Sequence, residues 1–239
     1  MKTFLIVKTG AAPPVIQRQF GDFDQWFVDA LGAKRFDYRV VSVHDDEDLP
    51  TDINALDGVL VTGSPAMVSH RHPWSEATAE WLRGAHEHGL PMLGVCYGHQ
   101  LIAHALGGKV GTNPAGRQMG SRQVDILATD DRLLGPLGPA TVFQVTHLEV
   151  VLEAPPNSQV IATNAADPYH GLYFGRKSWG VQFHPEFDRD IMRAYIQARA
   201  SVLSGEGIAA EPLLAAIKSA PDGARLMRRF ADLVSGEAR

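Results

Sequence analysis

The chain of 239 residues has only one cysteine, Cys96. A disulfide needs two cysteines and a multi-cysteine zinc site needs more, so neither can form within one chain. A single free thiol is typical of a reducing compartment, and we therefore expect a cytoplasmic protein. Cys96 itself is either an inert core residue or a reactive thiol, and its sequence neighbours must decide between these two roles.

Blocks of lysine and arginine are also absent. The chain has 22 Lys and Arg against 27 Asp and Glu, which argues against a surface for nucleic acid or for anionic membranes. No run reaches the roughly 18 apolar residues that a transmembrane helix requires. The N-terminal apolar run is broken by Lys8 and Gly10, too early for a secretion signal. This composition leaves a small, roughly neutral substrate open.

Motifs for cofactors are missing as well. No Gly-x-x-x-x-Gly-Lys-Ser/Thr phosphate loop occurs. The pairs His70/His72 and His86/His88 have no accompanying cluster of carboxylates or cysteines, so they are interpreted as surface histidines. We therefore predict neither a metal site nor a cofactor, and we look for chemistry in the side chains alone.

Short apolar runs alternate with helical patterns in the first half of the chain. This alternation predicts an α/β fold of three layers, with a mostly parallel, doubly wound sheet and right-handed crossovers. In such sheets, ligands bind at the carboxyl ends of the strands. The predicted strands cover residues 3–7, 38–43, 58–62 and 91–95, and the predicted helices cover about 20–31 and 74–88.

The second half of the chain changes to short strands in close succession. We expect these strands to extend one edge of the sheet in a partly antiparallel arrangement. The predicted domain covers residues 1–204 and ends in a helix over 188–204. Residues 205–239 are predicted to form a C-terminal helical extension packed on it, a candidate contact surface for a homodimer. The additional strands are predicted at 122–128, 141–146, 160–164, 171–174 and 179–183.

Cys96 lies where a predicted buried strand ends and a helical pattern begins. The pattern Gly94-x-Cys96-x-Gly98 is typical of a nucleophile elbow, in which small flanking residues allow a strained turn to expose one side chain above the sheet. At the first turn of a helix, free backbone N–H groups and the helix dipole favour a thiolate. These features favour a reactive Cys96, provided that a partner base is present.

His184 and Glu186 follow the last predicted strand, with a proline between them. On extended backbone, side chains at i and i+2 point to the same side. The histidine can therefore take the thiol proton while the carboxylate orients its imidazole. Another predicted strand ends at the turn Gly63-Ser64-Pro65. Backbone N–H groups of this turn and of Tyr97 could bind the oxyanion of a tetrahedral intermediate.

The segments TGSP, GVCYGHQ and QFHPEF, together and in this order, resemble class I (triad) glutamine amidotransferases, especially stand-alone proteins similar to the glutaminase half of GMP synthase. The resemblance covers about residues 3–200. It implies a flavodoxin-like fold and cleavage of the glutamine side-chain amide through a γ-glutamyl thioester, with release of ammonia. By this resemblance, Cys96 is the nucleophile, His184 the general base and acid, and Glu186 the residue that orients the histidine.

The same resemblance implies how the substrate is held. The backbone N–H groups of Ser64 and Tyr97 would form the oxyanion hole, although Ser64 stands where the family commonly has glycine. The segment at 146–149, Thr-His-Leu-Glu, matches only loosely the family's Ser-His-Gly-Asp segment, which lines the pocket for the α-amino and carboxylate groups of glutamine. The candidate substrate contacts are Gly63, Gln100, Thr146 and His147.

Several functions are compatible with these motifs. Amidotransferases deliver ammonia to a synthase, and the roughly 40 residues that follow the amidase-like region are too few for an ATP-using domain. The chain is therefore expected either to use a separate synthase partner or to act alone, as a glutaminase or a γ-glutamyl peptidase. A non-catalytic regulatory subunit is a further alternative, which the intact Cys, His and Glu set disfavours. A cysteine hydrolase or stress protein of the related elbow-cysteine branch is another alternative. In that branch the histidine usually follows the cysteine much more closely, so His-Pro-Glu at the end of a late strand favours the amidotransferase branch.

Overall fold

The computed structural model describes residues 1–237; Ala238 and Arg239, the last two residues of the predicted C-terminal extension, lie outside the described part. Strands alternate with helices up to α4 and then follow one another closely. The strands are β1 (Thr3–Lys8), β2 (Asp37–Ser42), β3 (Gly58–Val61), β4 (Met92–Val95), β5 (Lys109–Thr112), β6 (Gln118–Ile126), β7 (Ala140–His147), β8 (Glu149–Glu153), β9 (Gln159–Asn164), β10 (Asp167–Gly175) and β11 (Ser178–Val181).

Several helices begin or end at local sequence signals. Gly21, at a φ of 83°, ends α1, and Asp22 caps α2. The helix predicted over about 20–31 corresponds to α2, whereas α1 was not predicted. Asp188 caps α5 in the same way. The α-helices are α1 (Pro14–Phe20), α2 (Phe23–Leu31), α3 (Pro73–His88), α4 (Tyr97–Ala105), α5 (Arg189–Ala198), α6 (Ala200–Gly205), α7 (Ala210–Ala215) and α8 (Asp222–Ser235).

One large mixed sheet organises the molecule, in the order β2-β1-β3-β4-β11-β10-β9-β6-β7. Strands from β2 to β11 in this order pair in parallel, and those from β11 to β7 pair in antiparallel fashion. This arrangement confirms the predicted α/β sheet with antiparallel strands added at one edge. β5 and β8 form a separate two-stranded sheet that the sequence analysis did not predict.

Alternate residues of the central strands face two different cores. On β1, Phe4 and Ile6 pack with helices α1, α2, α5 and α8, whereas Leu5 and Val7 pack with α3 and α4. Burial on both faces explains why these strands are continuous apolar runs. Helices therefore cover both sides of the sheet, and the carboxyl ends of β3, β4 and β11 meet at one edge. No helix within residues 1–237 is both long and apolar enough to span a bilayer.

The helix predicted over 188–204 is interrupted at Arg199. The backbone there has φ −104° and ψ 10°, and the chain continues as α6. In α6, Leu203 is buried at 0% exposure, whereas Val202 is 42% exposed.

Helix α8 packs against both the first strand and the loop that follows the last one. The ring of Phe230 lies 6.1 Å from that of Phe4, edge to face. At the start of the helix, a Cβ on Gly223 would lie only 2.2 Å from the carbonyl oxygen of Pro185. The C-terminal part of the chain therefore contacts the loop that carries His184 and Glu186.

Candidate active site

Cys96 occupies a strained turn between β4 and α4. Its backbone has φ 52° and ψ −103°, a conformation that is uncommon for a residue with a side chain. The turn fits only because both flanking glycines lack a Cβ. A Cβ on Gly94 would lie 2.4 Å from the carbonyl oxygen of Gly98, and one on Gly98 would lie 2.3 Å from that of Val61. The glycine spacing in the sequence thus serves the close approach of helix and strand.

His184 and Glu186 lie directly after β11, which pairs in parallel with β4. The backbone N–H of His184 donates to the carbonyl of Gln144 on β7 at 2.8 Å, which fixes this loop between two strands. The Nδ1 of His184 lies 2.7 Å from Oε1 of Glu186, and both side chains are almost fully buried. Because Nδ1 donates to the carboxylate, Nε2 is the ring nitrogen that remains to exchange a proton with another group.

Aromatic rings enclose the imidazole. The ring of Phe187 is stacked on that of His184, with centroids 4.2 Å apart. The ring of Phe23, the first residue of α2, is also stacked relative to the His184 ring, with centroids 6.4 Å apart. These rings exclude water from the His184–Glu186 pair and hold the imidazole in one plane. Exclusion of water strengthens every charge interaction inside the site.

Nε2 of His184 is buried with no hydrogen-bond partner within residues 1–237, and Sγ of Cys96 lies 3.9 Å from the carbonyl oxygen of Thr146. Cys96 and His184 nevertheless lie close together. Both residues line one pocket, and a Cβ on Gly63 would lie 3.0 Å from Cε1 of His184 and 3.8 Å from Cβ of Cys96. Burial lowers the pKa of His184, but the charges of Glu186 and Cys96 outweigh burial and raise this pKa to about 10. The arrangement therefore favours an imidazolium at neutral pH.

Ser64 keeps its side chain out of the pocket. Its hydroxyl donates to the carbonyl of Thr9 at 2.7 Å and accepts from the N–H of Ala66 at 3.1 Å. Gly10 makes room for this hydroxyl, since a Cβ there would lie 2.7 Å from it. Within residues 1–237, the backbone N–H groups of Ser64 and Tyr97 donate no hydrogen bond. Both residues line the pocket with Cys96, as an oxyanion hole requires.

The structure distributes the four candidate substrate contacts between two places. Gln100, Thr146 and His147 line the pocket with Cys96. The amide nitrogen of Gln100 is already held by the Glu149 carbonyl at 2.6 Å and by Gln182 at 3.0 Å, so its orientation is fixed. Gly63 instead lies beside the His184 ring, where its lack of a Cβ admits the imidazole.

Three charged residues that the sequence analysis did not select also line this pocket: Arg117, Glu149 and Arg199. Arg117 is neutralised by a two-point ion pair with Glu206, at 2.7 and 2.8 Å. Arg199 forms no ion pair with any residue of 1–237, and its buried Nε has no hydrogen-bond partner there. It lines the pocket next to Cys96 and His184. Helical spacing places Arg199 one turn after the buried Tyr195, but spacing alone does not show that this face of α5 reaches the pocket.

Known proteins resemble this chain in sequence. The sequence profile of the family described as glutamine amidotransferase class-I matches residues 19–199. A GMP synthase [glutamine-hydrolyzing] of Porphyromonas gingivalis is 35% identical over 139 residues, which are 58% of this chain and 26% of that protein. The chain thus spans about a quarter of that relative. Gamma-glutamyl peptidase 3 of Arabidopsis thaliana is 26% identical over 80% of this chain and 79% of its own length.

Solved structures show the same fold. The crystal structure of a glutamine amidotransferase from Thermotoga maritima covers 98% of this chain and 97% of its own, with a TM-score of 0.78 and 18% identity. At this identity the likeness concerns the fold alone. Because the family profile spans about three quarters of the chain, including Cys96, His184 and Glu186, the chain belongs to the class-I glutamine amidotransferase family.

Proposed function

We propose that this protein hydrolyses the γ-glutamyl amide of glutamine, or of a related γ-glutamyl compound, through Cys96. The Cys96 elbow facing a buried His184–Glu186 pair carries this proposal. In the first step, the Cys96 sulfur attacks the amide carbon, and the N–H groups of Ser64 and Tyr97 bind the oxyanion. The protonated His184 gives its proton to the leaving nitrogen, so ammonia departs and a γ-glutamyl thioester remains.

The second step restores the enzyme. Neutral His184 takes a proton from water, and the resulting hydroxide attacks the thioester carbon. The carbon–sulfur bond breaks, glutamate leaves, and Cys96 and His184 regain their starting charges. Glu186 does not react; it orients the ring of His184 and stabilises the imidazolium in both steps.

Arg199 is proposed to bind the substrate carboxylate. A guanidinium with no ion pair within the described residues, at the wall of a pocket that contains a nucleophile, suits a carboxylate by charge and by planar geometry. Glutamine and γ-glutamyl peptides both carry an α-carboxylate on the γ-glutamyl unit. Arg199 therefore supports an amino-acid substrate and does not by itself distinguish the two.

Two physiological contexts follow from the relatives. One is delivery of ammonia to a separate synthase chain, since the Porphyromonas relative is a glutamine-hydrolysing GMP synthase. The other is a self-sufficient γ-glutamyl peptidase, which the Arabidopsis relative favours because this chain covers 79% of its length. A non-catalytic subunit with the same fold is a third context.

One experiment separates these contexts. The purified protein is given L-glutamine or glutathione, and ammonia and glutamate release are measured, with Cys96→Ala as the inactive control. Cysteine-dependent turnover supports a self-sufficient hydrolase, and the better substrate decides between glutaminase and peptidase. Alkylation of Cys96 by a glutamine-like electrophile without turnover points to a site that needs a synthase. Turnover retained in Cys96→Ala would refute the mechanism.

A further inference from the structure

A second cluster of chemically active side chains lies behind the pocket. Asp167 and His170 belong to β10, and His147 lies at the end of β7. All three side chains are buried, at 1%, 1% and 5% exposure. The Nδ1 of His170 lies 2.9 Å from Oδ2 of Asp167. One nitrogen or oxygen atom from each of the three side chains lies within 4.8 Å of the other two.

The proposed hydrolysis gives Asp167 and His170 no role, and it uses His147 only as a candidate substrate contact. Both ring nitrogens of His147 and Nε2 of His170 are buried and have no hydrogen-bond partner within the described residues. Buried polar atoms of native proteins are normally paired, so three unpaired ring nitrogens in one place indicate a missing ligand. Only His147 of the three also lines the Cys96 pocket, which gives a small ion a route to the cluster.

The donor types of the cluster suit a cation. Imidazole nitrogens and carboxylate oxygens are ligand atoms that Zn²⁺ accepts in proteins. The three side chains offer these atoms together, in a buried place.

We propose that His147, Asp167 and His170 form a binding site for a divalent transition-metal ion such as Zn²⁺. Two imidazoles and one carboxylate are a zinc donor set, with bonds of about 2.0–2.2 Å. Such bonds place tetrahedral ligand atoms about 3.4 Å apart, so ligand atoms that now lie as far as 4.8 Å apart need to approach by about 1.4 Å. The ion would tie β7 to β10 and fix the pocket wall at His147.

The test must separate this cluster from the Cys96 thiolate, which also binds zinc. Zinc binding is therefore measured by calorimetry in the Cys96→Ser variant, where the thiolate is absent and the cluster is intact. We expect about one ion per chain. Replacing His147 or His170 with Gln should weaken binding by more than about 100-fold, since loss of a direct ligand exceeds the usual effect of losing a supporting hydrogen bond.

His147→Gln is the safer of these two variants, because the His147 ring forms no side-chain hydrogen bond whose loss could unfold the protein. Asp167→Asn is an isosteric third variant. The matched control is His70→Gln with His72→Gln, an exposed pair whose rings lie 5.9 Å apart. This control should bind zinc as tightly as the Cys96→Ser parent. Far-UV circular dichroism of every variant verifies that it is folded.

Cobalt substitution gives a readout independent of activity. Co²⁺ in the cluster should give visible d–d bands without a sulfur charge-transfer band, in the wild type as in Cys96→Ser. Zinc should also raise the melting temperature of the parent and leave that of His147→Gln unchanged. The proposal is overturned by no binding in Cys96→Ser, by binding that survives His147→Gln and Asp167→Asn, or by loss of binding in the His70/His72 control.

Discussion

Glu186→Gln tests the charge logic of the site with the smallest change of shape. Gln keeps the size of Glu but removes the negative charge that His184 Nδ1–H donates to at 2.7 Å. A hydrogen bond to a charged group contributes about 1.5–3 kcal/mol, and burial of both side chains favours the upper end of this range. Since about 1.36 kcal/mol corresponds to a factor of ten, turnover should fall roughly 10- to 160-fold without being abolished.

Two assays separate this effect from a general loss of structure. Hydrolysis of the better substrate reports turnover, and alkylation of Cys96 by iodoacetamide reports the thiolate. Both rates should fall at pH 7 in Glu186→Gln, because the imidazolium that stabilises the thiolate is weakened. Alkylation should recover at high pH, where the thiolate forms without help.

The matched control is Glu76→Gln, which removes the carboxylate of another His–Glu pair, with His104 at 3.0 Å, outside the pocket. Glu76→Gln should leave alkylation of Cys96 unchanged. If Glu186→Gln had wild-type turnover and wild-type alkylation, Glu186 would not be the group that charges and orients His184, and the proposed division of roles would fail.

Three further predictions concern the elbow, the pocket and pH. Gly98→Ala should destabilise the fold by several kcal/mol or prevent folding, because the new Cβ would clash with the backbone of Val61. Gly84→Ala, in the interior of α3 where there is room for a Cβ, should instead stabilise the fold by about 0.4–1 kcal/mol. Equal midpoints of urea unfolding for the two variants would contradict the argument that the elbow requires glycine. Arg199→Gln should raise the KM for glutamine by about 10-fold or more, whereas exposed Arg193→Gln should not. Because the pKa of His184 is raised from 6.5 to about 10, the stability that its protonation contributes is complete below pH 6.5 and is lost as pH rises to 10. The stability advantage of wild type over Glu186→Gln should therefore shrink across this range, and a constant advantage would refute the assignment.

Local pattern was enough to predict the parts of the site that local geometry determines. The glycines around Cys96 are needed within one turn, and the i, i+2 placement of His184 and Glu186 follows from extended backbone. Their meeting with Cys96 depends on the pairing of β4 with β11, whose residues Val95 and Val181 are register partners despite their distance in sequence. No single pattern predicted that His184 and Glu186 lie beside Cys96. Only the resemblance of the three motifs together to a known family did so.

Features that depend on several distant elements escaped prediction. None of the four residues of β5 is buried, so the strand shows no alternation of apolar and polar residues. Its pairing with β8 joins two segments about 40 residues apart, which a local pattern does not reveal. The metal prediction considered histidine pairs close in sequence, whereas His147 and His170 lie on different strands of the antiparallel half. Arg199 follows α5, and it reaches the pocket only through the packing of that helix in the fold. Each of these required the tertiary arrangement, which periodicity along one element does not contain.

The chain after residue 205 contacts the loop that carries His184 and Glu186, which its sequence does not reveal. The loop that carries His184 and Glu186 is held from β7 by the Gln144 carbonyl and from α8 by Gly223, where close contact with Pro185 leaves no room for a side chain. The amide of Gln144 in turn donates to the carbonyl of Lys218, between α7 and α8. The proposed C-terminal extension therefore supports the loop that places His184 near Cys96, and loss of its packing should disturb the geometry of these two residues.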